Sequence, residues 1–433
     1  MESRTSYISK FIAGAFLLLI PLQSMADHPN EGAFTLEQLI KEAEAQNFEI
    51  KEAESTYKSS QAQADAKYGK FLPRLSVEGG PQTTKFDDDK NSGTTLYGKA
   101  DWNLYRGGLD QDNFEKSRIQ RDLDLKKFEA SKSKVIRDVS RNFHELSFLL
   151  ESSALKEKAL QLNQEQMKLA KLKKSSGFTS SADVIEFELR EATLTSDLKM
   201  ISQLTTEKSR ELSVLLGRKD LSSSILVKGH LAKETPSISK EEILKRLRES
   251  NIEIVQANAE AQLSQKDAAI AKSGFLPSVD LEAKYGKIAN EERVFSENNN
   301  YSLMLKISVP LFSGLETLNE TRAARSTIAA KEASATRKTL SGQADAENLL
   351  SQLTTISDRI NLEEKNLSKS EEYYKITLGE YRRGVKNSPD MVGASERLLE
   401  AKIRNLEYRK DFYLTKLKIY ELVSSDPRRE TKL

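Results

Sequence analysis

The apolar positions of the chain change period in the same order twice. From residue 35 to 71 they follow a helical spacing in a stretch rich in Ala, Glu, Lys and Gln, residue types that favour helix. The stretch opens on Thr35-Leu36-Glu37 and stops at Phe71-Leu72-Pro73, where proline disfavours helix in the residue before it. Past Pro73 the period drops to two. Leu75 and Val77 alternate with Ser76 and Glu78, and Leu96, Ala100, Trp102 and Leu104 alternate with Thr95, Lys99, Asp101 and Asn103. That is the pattern of strands with one apolar and one wet face.

The order then recurs. Ile238-Ser239-Lys240-Glu241 opens a helical stretch ending at Phe275-Leu276-Pro277, after which Val279, Leu281, Ala283 and Tyr285 alternate with Asp280, Glu282 and Lys284. Tyr301, Leu303, Leu305, Ile307 and Val309 then alternate with Ser302, Lys306 and Ser308. Further landmarks keep register: Asn103-Leu104-Tyr105-Arg106-Gly107 answers Pro310-Leu311-Phe312-Ser313-Gly314, and Gly177 with Asp183 answers Gly384 with Asp390. Ordered landmarks of this kind mark an internal duplication.

Each strand pair precedes a very long helical pattern, residues 109–175 and 315–381. Phe128, Val135, Val139, Phe143, Leu146 and Leu150 recur there at spacings of seven, four, four, three and four, a coiled-coil-like seam. A helix of nearly 70 residues is about 100 Å long. Return helices over 181–216 and 389–422 cover half that length, so the first helix of each copy, stacked end to end with its return helix, makes up the difference. The expected fold is therefore mainly α with a transmembrane β part, duplicated as helix, strand pair, long helix and return helix. The expected segments are a signal peptide at 1–26, a first repeat at 27–217 with strands near 75–81 and 94–104, and a linker at 218–236. A second repeat at 237–423 with strands near 278–287 and 301–309, and a polar tail at 424–433, complete the chain.

The compartment follows from the first residues. Arg4 and Lys10 flank an apolar run from Phe11 to Leu22, and Ser24-Met25-Ala26 offers small residues for cleavage, the layout of a secretory signal peptide. No later apolar run reaches the roughly twenty residues of a spanning helix, so membrane residence requires β-structure. The alternating segments are about nine to eleven residues long, enough for a tilted strand to cross a bilayer. The stretches between them, 81–93 with Asp87-Asp88-Asp89 and 289–300 with Asn298-Asn299-Asn300, read as polar external loops. The acidic run lacks EF-hand spacing and its closing Glu, so no metal is assigned. Four strands cannot close a barrel, since the smallest outer-membrane barrels have about eight, so chains must pool strands.

Composition narrows the function. The net charge is +2 on 67 basic and 65 acidic side chains, so nucleic acid is not an implied partner. Cysteine is absent, which removes disulfides, thiolate chemistry and a lipidated cysteine. His28, His144 and His230 are the only histidines and lie far apart, and no P-loop accompanies the Gly pairs at 79–80 and 107–108. No enzyme, cofactor or metal is expected.

The duplicated Phe-Leu-Pro before each strand pair, the Leu-[Tyr/Phe]-x-Gly after it and the tip spacing Gly177 to Asp183 and Gly384 to Asp390 resemble the TolC-type outer-membrane factor family over essentially the whole mature chain. The resemblance implies a homotrimer sharing a 12-stranded β-barrel in outer-membrane lipid on a long periplasmic α-helical barrel. It implies the channel subunit of a tripartite efflux pump or type I secretion system, opened by an inner-membrane transporter and a periplasmic adaptor (membrane fusion protein). It places a periplasmic aperture at Asp390, Tyr381 and Lys386, with Asp183 accepting bonds from Tyr381 or Lys386. Gly393 stands where two-ring relatives carry a second aperture carboxylate, which implies weaker cation selectivity. The tip residues Gly177, Phe178, Gly384 and Val385 would meet the adaptor, and Trp102, Tyr285 and Tyr301 would form a membrane aromatic belt; Tyr105, near a helix start, is open between belt and ordinary packing.

Alternative readings stand beside these. Asp183 and Asp390 follow Gly breaks, where carboxylates cap helices in any case, and Gly177 and Gly384 are ordinary positive-φ helix stops. A structural, periplasm-spanning coiled-coil envelope protein would also carry long helices, with the strand alternation incidental. A periplasmic adaptor would carry them too, but should contain a β-rich lipoyl-like segment.

Overall fold

A computed structural model describes residues 33–86, 89–222, 224–234, 239–288 and 300–426. The signal peptide, Asp87 and Asp88, most of the second strand-pair loop and the last seven residues lie outside the described residues. Two helices, α1 (Leu36–Gln46) and α2 (Phe48–Tyr68), lead through a 3₁₀ turn (Gly69–Phe71) into β1 (Arg74–Phe86) and β2 (Asp89–Arg106). The long helix α3 (Leu109–Ser175) and the return helix α4 (Ser181–Leu215) complete the first repeat. The second runs α5 (Lys240–Ser250), α6 (Ile252–Ser273), β3 (Ser278–Lys287), β4 (Asn300–Ser308), α7 (Glu316–Arg382) and α8 (Ser388–Leu422). At ~1.5 Å per residue the two 67-residue helices are each about 100 Å long.

One antiparallel sheet in the order β1-β2-β3-β4 joins the repeats, with β2 pairing β3 across the duplication. The register sorts side chains by chemistry. Ser76↔Lys99, Arg74↔Asp101, Asp101↔Glu282 and Lys284↔Ser302 share one face, whereas Leu75↔Ala100, Ala283↔Leu303 and Leu281↔Leu305 share the other. The apolar face is uncovered: Leu75, Val77, Leu303, Leu305 and Ile307 are all exposed. The first strand pair runs further than its alternation foretold. The stretch expected as an external loop from 81 to 93 remains paired as far as Phe86↔Asp89, because backbone ladder bonds need no apolar alternation.

The expected single first helix of each repeat is broken in two, at Asn47 and again at Asn251. Each Asn closes one helix and caps the next. Asn47 Oδ1 accepts from Ile50 N at 3.0 Å while its Nδ2 donates to Leu215 O at 2.7 Å, at the end of α4. Asn251 Oδ1 accepts from Ile254 N at 3.0 Å and its Nδ2 donates to Leu422 O at 2.6 Å, at the end of α8. One amide thus satisfies the orphan N–H of an incoming helix and the orphan carbonyl of a returning one. This is how two short helices stack in line beside one long one.

The linker is a packed strap. Phe34 forms a parallel bridge to Val227, and Arg218 binds Glu42 bidentately at 2.6 and 2.8 Å. Arg409 Nη1 donates to Leu231 O at 3.2 Å and Tyr413 Oη to Ala232 O at 3.2 Å, so the strap reaches from the first repeat to α8. The chain also stays packed past the last helix: Val423 is buried, and Arg137 Nη1 donates to Ser425 O at 3.1 Å. Residues 424–426 therefore belong to the body of the fold rather than to a tail.

Three buried clusters hold the helices. One unites Leu39, Ile40, Val139, Leu146, Leu212 and Leu216, and its counterpart unites Ile243, Leu247, Leu353, Ile360, Phe412 and Ile419. Each such side chain contributes about 1.5–3 kcal/mol by leaving water. The third cluster lies near the helix-hairpin tips and contains Met167, Val184 and Phe187 of one repeat with Tyr381, Met391 and Val392 of the other.

Replacing Asn47 by Ala strands the Ile50 amide and the Leu215 carbonyl, and should cost about 1–3 kcal/mol. Asn251→Ala should cost the same. Denaturant unfolding followed by far-ultraviolet circular dichroism checks both; an unchanged midpoint in either variant refutes the clasp.

Candidate functional site

The two hairpin tips are built alike, 207 positions apart. Gly177 and Gly384 adopt φ of 76° and 79°, the left-handed region that glycine enters without Cβ cost. Phe178 N donates to Lys173 O at 2.9 Å and Gly177 N to Lys174 O at 3.0 Å; Val385 N donates to Glu380 O at 3.0 Å and Gly384 N to Tyr381 O at 3.1 Å. These paired bonds are Schellman stops. They leave Phe178 and Val385 held out in solvent, 84% and 69% exposed.

After each stop an N-cap starts the return helix. Ser180 Oγ accepts from Asp183 N at 3.3 Å, and Asn387 Oδ1 accepts from Asp390 N at 3.0 Å. Asp183 and Asp390 are thus equivalent first-turn positions, yet their carboxylates do different things. Asp183 Oδ2 accepts from Thr179 Oγ1 at 2.6 Å and Ser180 N at 3.1 Å, while its Oδ1 accepts from Ser388 N at 3.2 Å in the other hairpin. Asp183 is both cap and cross-hairpin tie. The Thr179 hydroxyl, with the Ser180 and Ser388 amides, holds its carboxyl well below the usual carboxylate range. Asp390 makes a looser ion pair with Lys386, at 3.8 Å, and stays partly exposed.

The donors expected for Asp183 were Tyr381 or Lys386, and among the described residues neither bonds to it. Tyr381 is 3% exposed and turns its ring into the tip cluster, edge-on to Phe187 at 6.1 Å. Burial raises its phenol above the ordinary value. Lys386 sits one turn before Asp390 and pairs there instead. The donor that ties Tyr381 to the first hairpin is Lys173, whose Nζ reaches Tyr381 O at 2.7 Å and lies 4.3 Å from the ring centroid. Nothing in the sequence beyond a basic residue in the last turn of a helix marks Lys173. Further along, Arg190 Nη1 donates to Glu396 Oε1 at 2.8 Å, a third tie between the hairpins. An ideal Cβ on Gly393 would meet nothing within 4 Å, so packing does not demand glycine there.

Trp102, Tyr285 and Tyr301 fall on the apolar face of the sheet at two levels. Tyr285 and Tyr301 are direct cross-strand partners near the far end, and Trp102 opposes Leu281 nearer the helices, where its Nε1 donates to Phe71 O at 2.9 Å. Four residues of β3 separate the levels, about 13 Å of strand. His144 is a packing group: it stacks on Tyr413 with centroids 4.4 Å apart, and burial lowers its pKa to about 4. Among the described residues no group of three or more His, Asp or Glu side chains is arranged to hold a metal ion.

A family model described as "Outer membrane efflux protein" matches residues 39–218 and 243–424. The outer membrane protein TolC of Vibrio cholerae is 19% identical over 265 residues, and the chain spans 60% of that relative's length, with 60% of its own length aligned. The fold is similar to the outer membrane protein VceC of Vibrio cholerae, with TM-score 0.79, 18% identity, and coverage of 90% of this chain and 96% of that one. It is also similar to the CmeC outer membrane channel of Campylobacter jejuni, with TM-score 0.80, 13% identity, and coverage of 90% and 85%. The open state of the MtrE outer membrane channel of Neisseria gonorrhoeae gives TM-score 0.79, 16% identity, and coverage of 92% and 91%.

The Asp183 tie has a defined pH response. A carboxyl whose folded pKa is depressed supports the contact at and above its ordinary value, and loses it only as pH falls through the depressed value. Hydrogen-exchange protection of the Ser388 amide, relative to an unstructured peptide, should therefore stay flat from about pH 7 to about pH 4. It should fall at every pH in Asp183→Ala. Protection that declines near the ordinary Asp value would mean Asp183 is unperturbed.

Proposed function

The chain belongs to the outer membrane efflux protein family, and from that premise we propose that it is the channel subunit of an efflux or type I secretion assembly. In this reading it is a passive homotrimeric duct that exports substrates supplied by an inner-membrane transporter through a periplasmic adaptor. The observation that carries it is the pair of unpartnered sides. On one side stand β1 and the helices α2 and α4; on the other stand β4 and α7. Both carry exposed apolar residues at helical intervals. On α7, Leu318, Leu340, Leu362 and Tyr373 are separated by multiples of eleven residues, three turns each, and on α4 Leu189 and Met200 are eleven apart. Two different edges of one chain make a heterologous contact, which closes into a ring when the rotation allows.

Three copies would pool twelve strands, with the Leu75 and Leu303 face toward lipid and the Lys99 and Glu282 face lining the lumen. Trp102 would then lie at the membrane interface on the helix side, with the two tyrosines about 13 Å further along the strands. The helices would form a tunnel through the periplasm, and the hairpin tips its inner end. There the Asp183–Ser388 and Lys173–Tyr381 ties hold the two hairpins of a chain together, and three Asp390 carboxylates would ring the aperture. A single carboxylate ring attracts cations, an effect strengthened in a narrow pore. Adaptor contact at Gly177, Phe178, Gly384 and Val385 would release the ties.

Planar-bilayer recording of the purified protein should give small, cation-preferring channels. Asp183→Ala combined with Lys173→Met removes the two ties nearest the tips, leaving Arg190–Glu396, and should raise conductance several-fold. Asp390→Ala should reduce cation preference, and Gly393→Asp, at a position where an added Cβ meets nothing within 4 Å, should increase it. A protein that conducts in none of these forms is not a duct; unchanged selectivity in both aperture variants would leave the duct and discard the ring.

A further inference from the structure

The two repeats are related by fixed offsets. Asn47 and Asn251, like Arg74 and Ser278, lie 204 positions apart, whereas Asp101 and Ser308, like Gly107 and Gly314, lie 207 apart. These offsets carry one strand pair onto the other residue for residue: Arg74↔Asp101 becomes Ser278↔Ser308, and Ser76↔Lys99 becomes Asp280↔Lys306. Between the pairs, β2 meets β3 through Asp101↔Glu282 and Trp102↔Leu281. The same offsets applied to that seam name a second one, β4 against β1. A single chain cannot make it, because β1 and β4 are its two outer strands.

We propose that this outer seam forms between two copies of the chain in the register of the inner one, with Ser308 opposite Glu78 of the next copy, Val309 opposite its Val77, and Lys306 in an ion pair with that Glu78. The inference rests on the trimeric duct reading and goes beyond it in fixing which residues of two copies meet. The register matches chemistry: Lys306 and Ser308 lie on the polar face with Glu78, and Ile307 and Val309 follow the apolar alternation with Val77. A slip of one residue would set polar against apolar positions along the whole seam.

The ion pair has a counterpart within the chain. Lys99 stands opposite Lys284 but reaches diagonally to Glu282 at 3.3 Å, and Lys306 and Glu78 are the equivalents of Lys99 and Glu282. Lys306 is exposed and has no ion pair among the described residues, and Glu78 meets Lys99 only at 3.9 Å. The turn that follows agrees. Gly107, at φ 62°, approaches the end of α6 so closely that a Cβ would meet Leu276 Cβ at 2.7 Å and Ser273 O at 2.9 Å. Gly314 has nearly the same φ, 63°, with nothing within 4 Å. Leu311 and Phe312 beside it are 93% and 82% exposed, against 45% and 46% for Leu104 and Tyr105. The counterparts of Ser273 and Leu276 are Gly69 and Leu72, which adjoin β1 at the opposite edge of the chain. Along the helices the likeness ends. Lys266–Glu115 and Lys116–Asp267 join α3 to α6, but the equivalent pairs are Ala62 with Arg322 and Gln63 with Ala323. Of the inner seam's ion pairs among the described residues, only Lys99–Glu282 keeps both charges in its equivalents.

The chain has no cysteine, so introduced pairs report alone. The test oxidises V77C/V309C in proteoliposomes and reads covalent trimer on denaturing gels without reductant. Opposed residues of paired strands lie about 4.5–5.5 Å apart at Cα, within disulfide reach, whereas diagonal ones lie about 7–8 Å apart. V77C/V309C should therefore give about tenfold more covalent trimer than V77C/I307C. Within one chain two strands separate β1 from β4, roughly 14 Å, so the link reports contact between copies. E78C/S308C repeats the test on the polar face should the first variant not assemble. Lys306→Glu should lower the temperature at which the trimer dissociates, and adding Glu78→Gln should recover part of that loss by removing the repulsion. The proposal is overturned by a predominant V77C/I307C link, by covalent dimers of I307C or V309C alone through β4 meeting β4, or by a K306E trimer as heat-resistant as the native one. A trimer linked in another register sinks this inference alone, whereas a native protein that is monomeric in the bilayer sinks the trimeric reading beneath it.

Discussion

A sheet of four strands has two edges, and an edge strand in lipid leaves backbone N–H and C=O groups with no partner. The rest of the molecule is arranged around that demand. The edges are β1 and β4, and each is continuous with an unpartnered helical side of the same chain. Closing the sheet therefore aligns the helices, and packing the helices closes the sheet. The apolar face of the strands is likewise unsupported by any core of this chain. A single copy holds its own helices together through the buried clusters, but its β part is left with two open edges and an uncovered apolar face.

The parts of the fold set by local chemistry were legible in the sequence. The long helix α3 begins and ends at the expected residues because Gly108 and Gly177 interrupt an otherwise continuous helical pattern. The second strand pair matched its alternation to within a residue at either end. What the sequence hid depends on partners far along the chain. The break at Asn47 is decided by Leu215 O, 168 residues away, and no local pattern displays that carbonyl. Once it is known, the recurrence of Asn-x-Glu-Ile at Asn47 and Asn251 is a usable signal. The first hairpin outran its apolar alternation because backbone pairing does not depend on it. The strap was hidden because its hold on the body comes through main-chain carbonyls of Leu231 and Ala232 as much as through side chains.

At the tips the duplication marked equivalent positions, while the donors that the family resemblance implied for Asp183 are not the ones it meets within this chain. Gly177, Gly384, Asp183 and Asp390 occupy the equivalent positions their spacing indicated. Tyr381 and Lys386 lie close by, yet one is drawn into the apolar cluster and the other to its own helix. A side chain's direction follows from which face of its helix meets the neighbouring hairpin, and this is set by packing that a single tip sequence does not contain. Lys173 illustrates the converse. Its position in the last turn is explained by the helix dipole alone, and only the approach of α7 turns it into a tie.

Duplication followed by divergence also explains why the two aspartates can serve different ends. Both entered the fold as first-turn residues, the position at which a carboxylate is favoured by free N–H groups and by the helix dipole. Asp183 spends its oxygens on its own cap and on Ser388, so it couples the hairpins and has little left for solvent or cargo. Asp390 leaves the capping to Asn387, and its carboxylate pairs loosely with the half-exposed Lys386. A group bound by several short hydrogen bonds suits a latch, and one bound loosely suits a ring that passing ions can feel. The difference between the two lies in the two residues before the helix, Thr179 and Ser180 in the first repeat against Lys386 and Asn387 in the second. Serine offers a short hydroxyl within reach of the Asp183 oxygens, and its cap is completed by the aspartate. Asparagine completes its bond with its own amide oxygen and leaves the aspartate free. The residues around the cap, a local matter in most helices, here set which carboxylate ties the hairpins and which stays partly exposed.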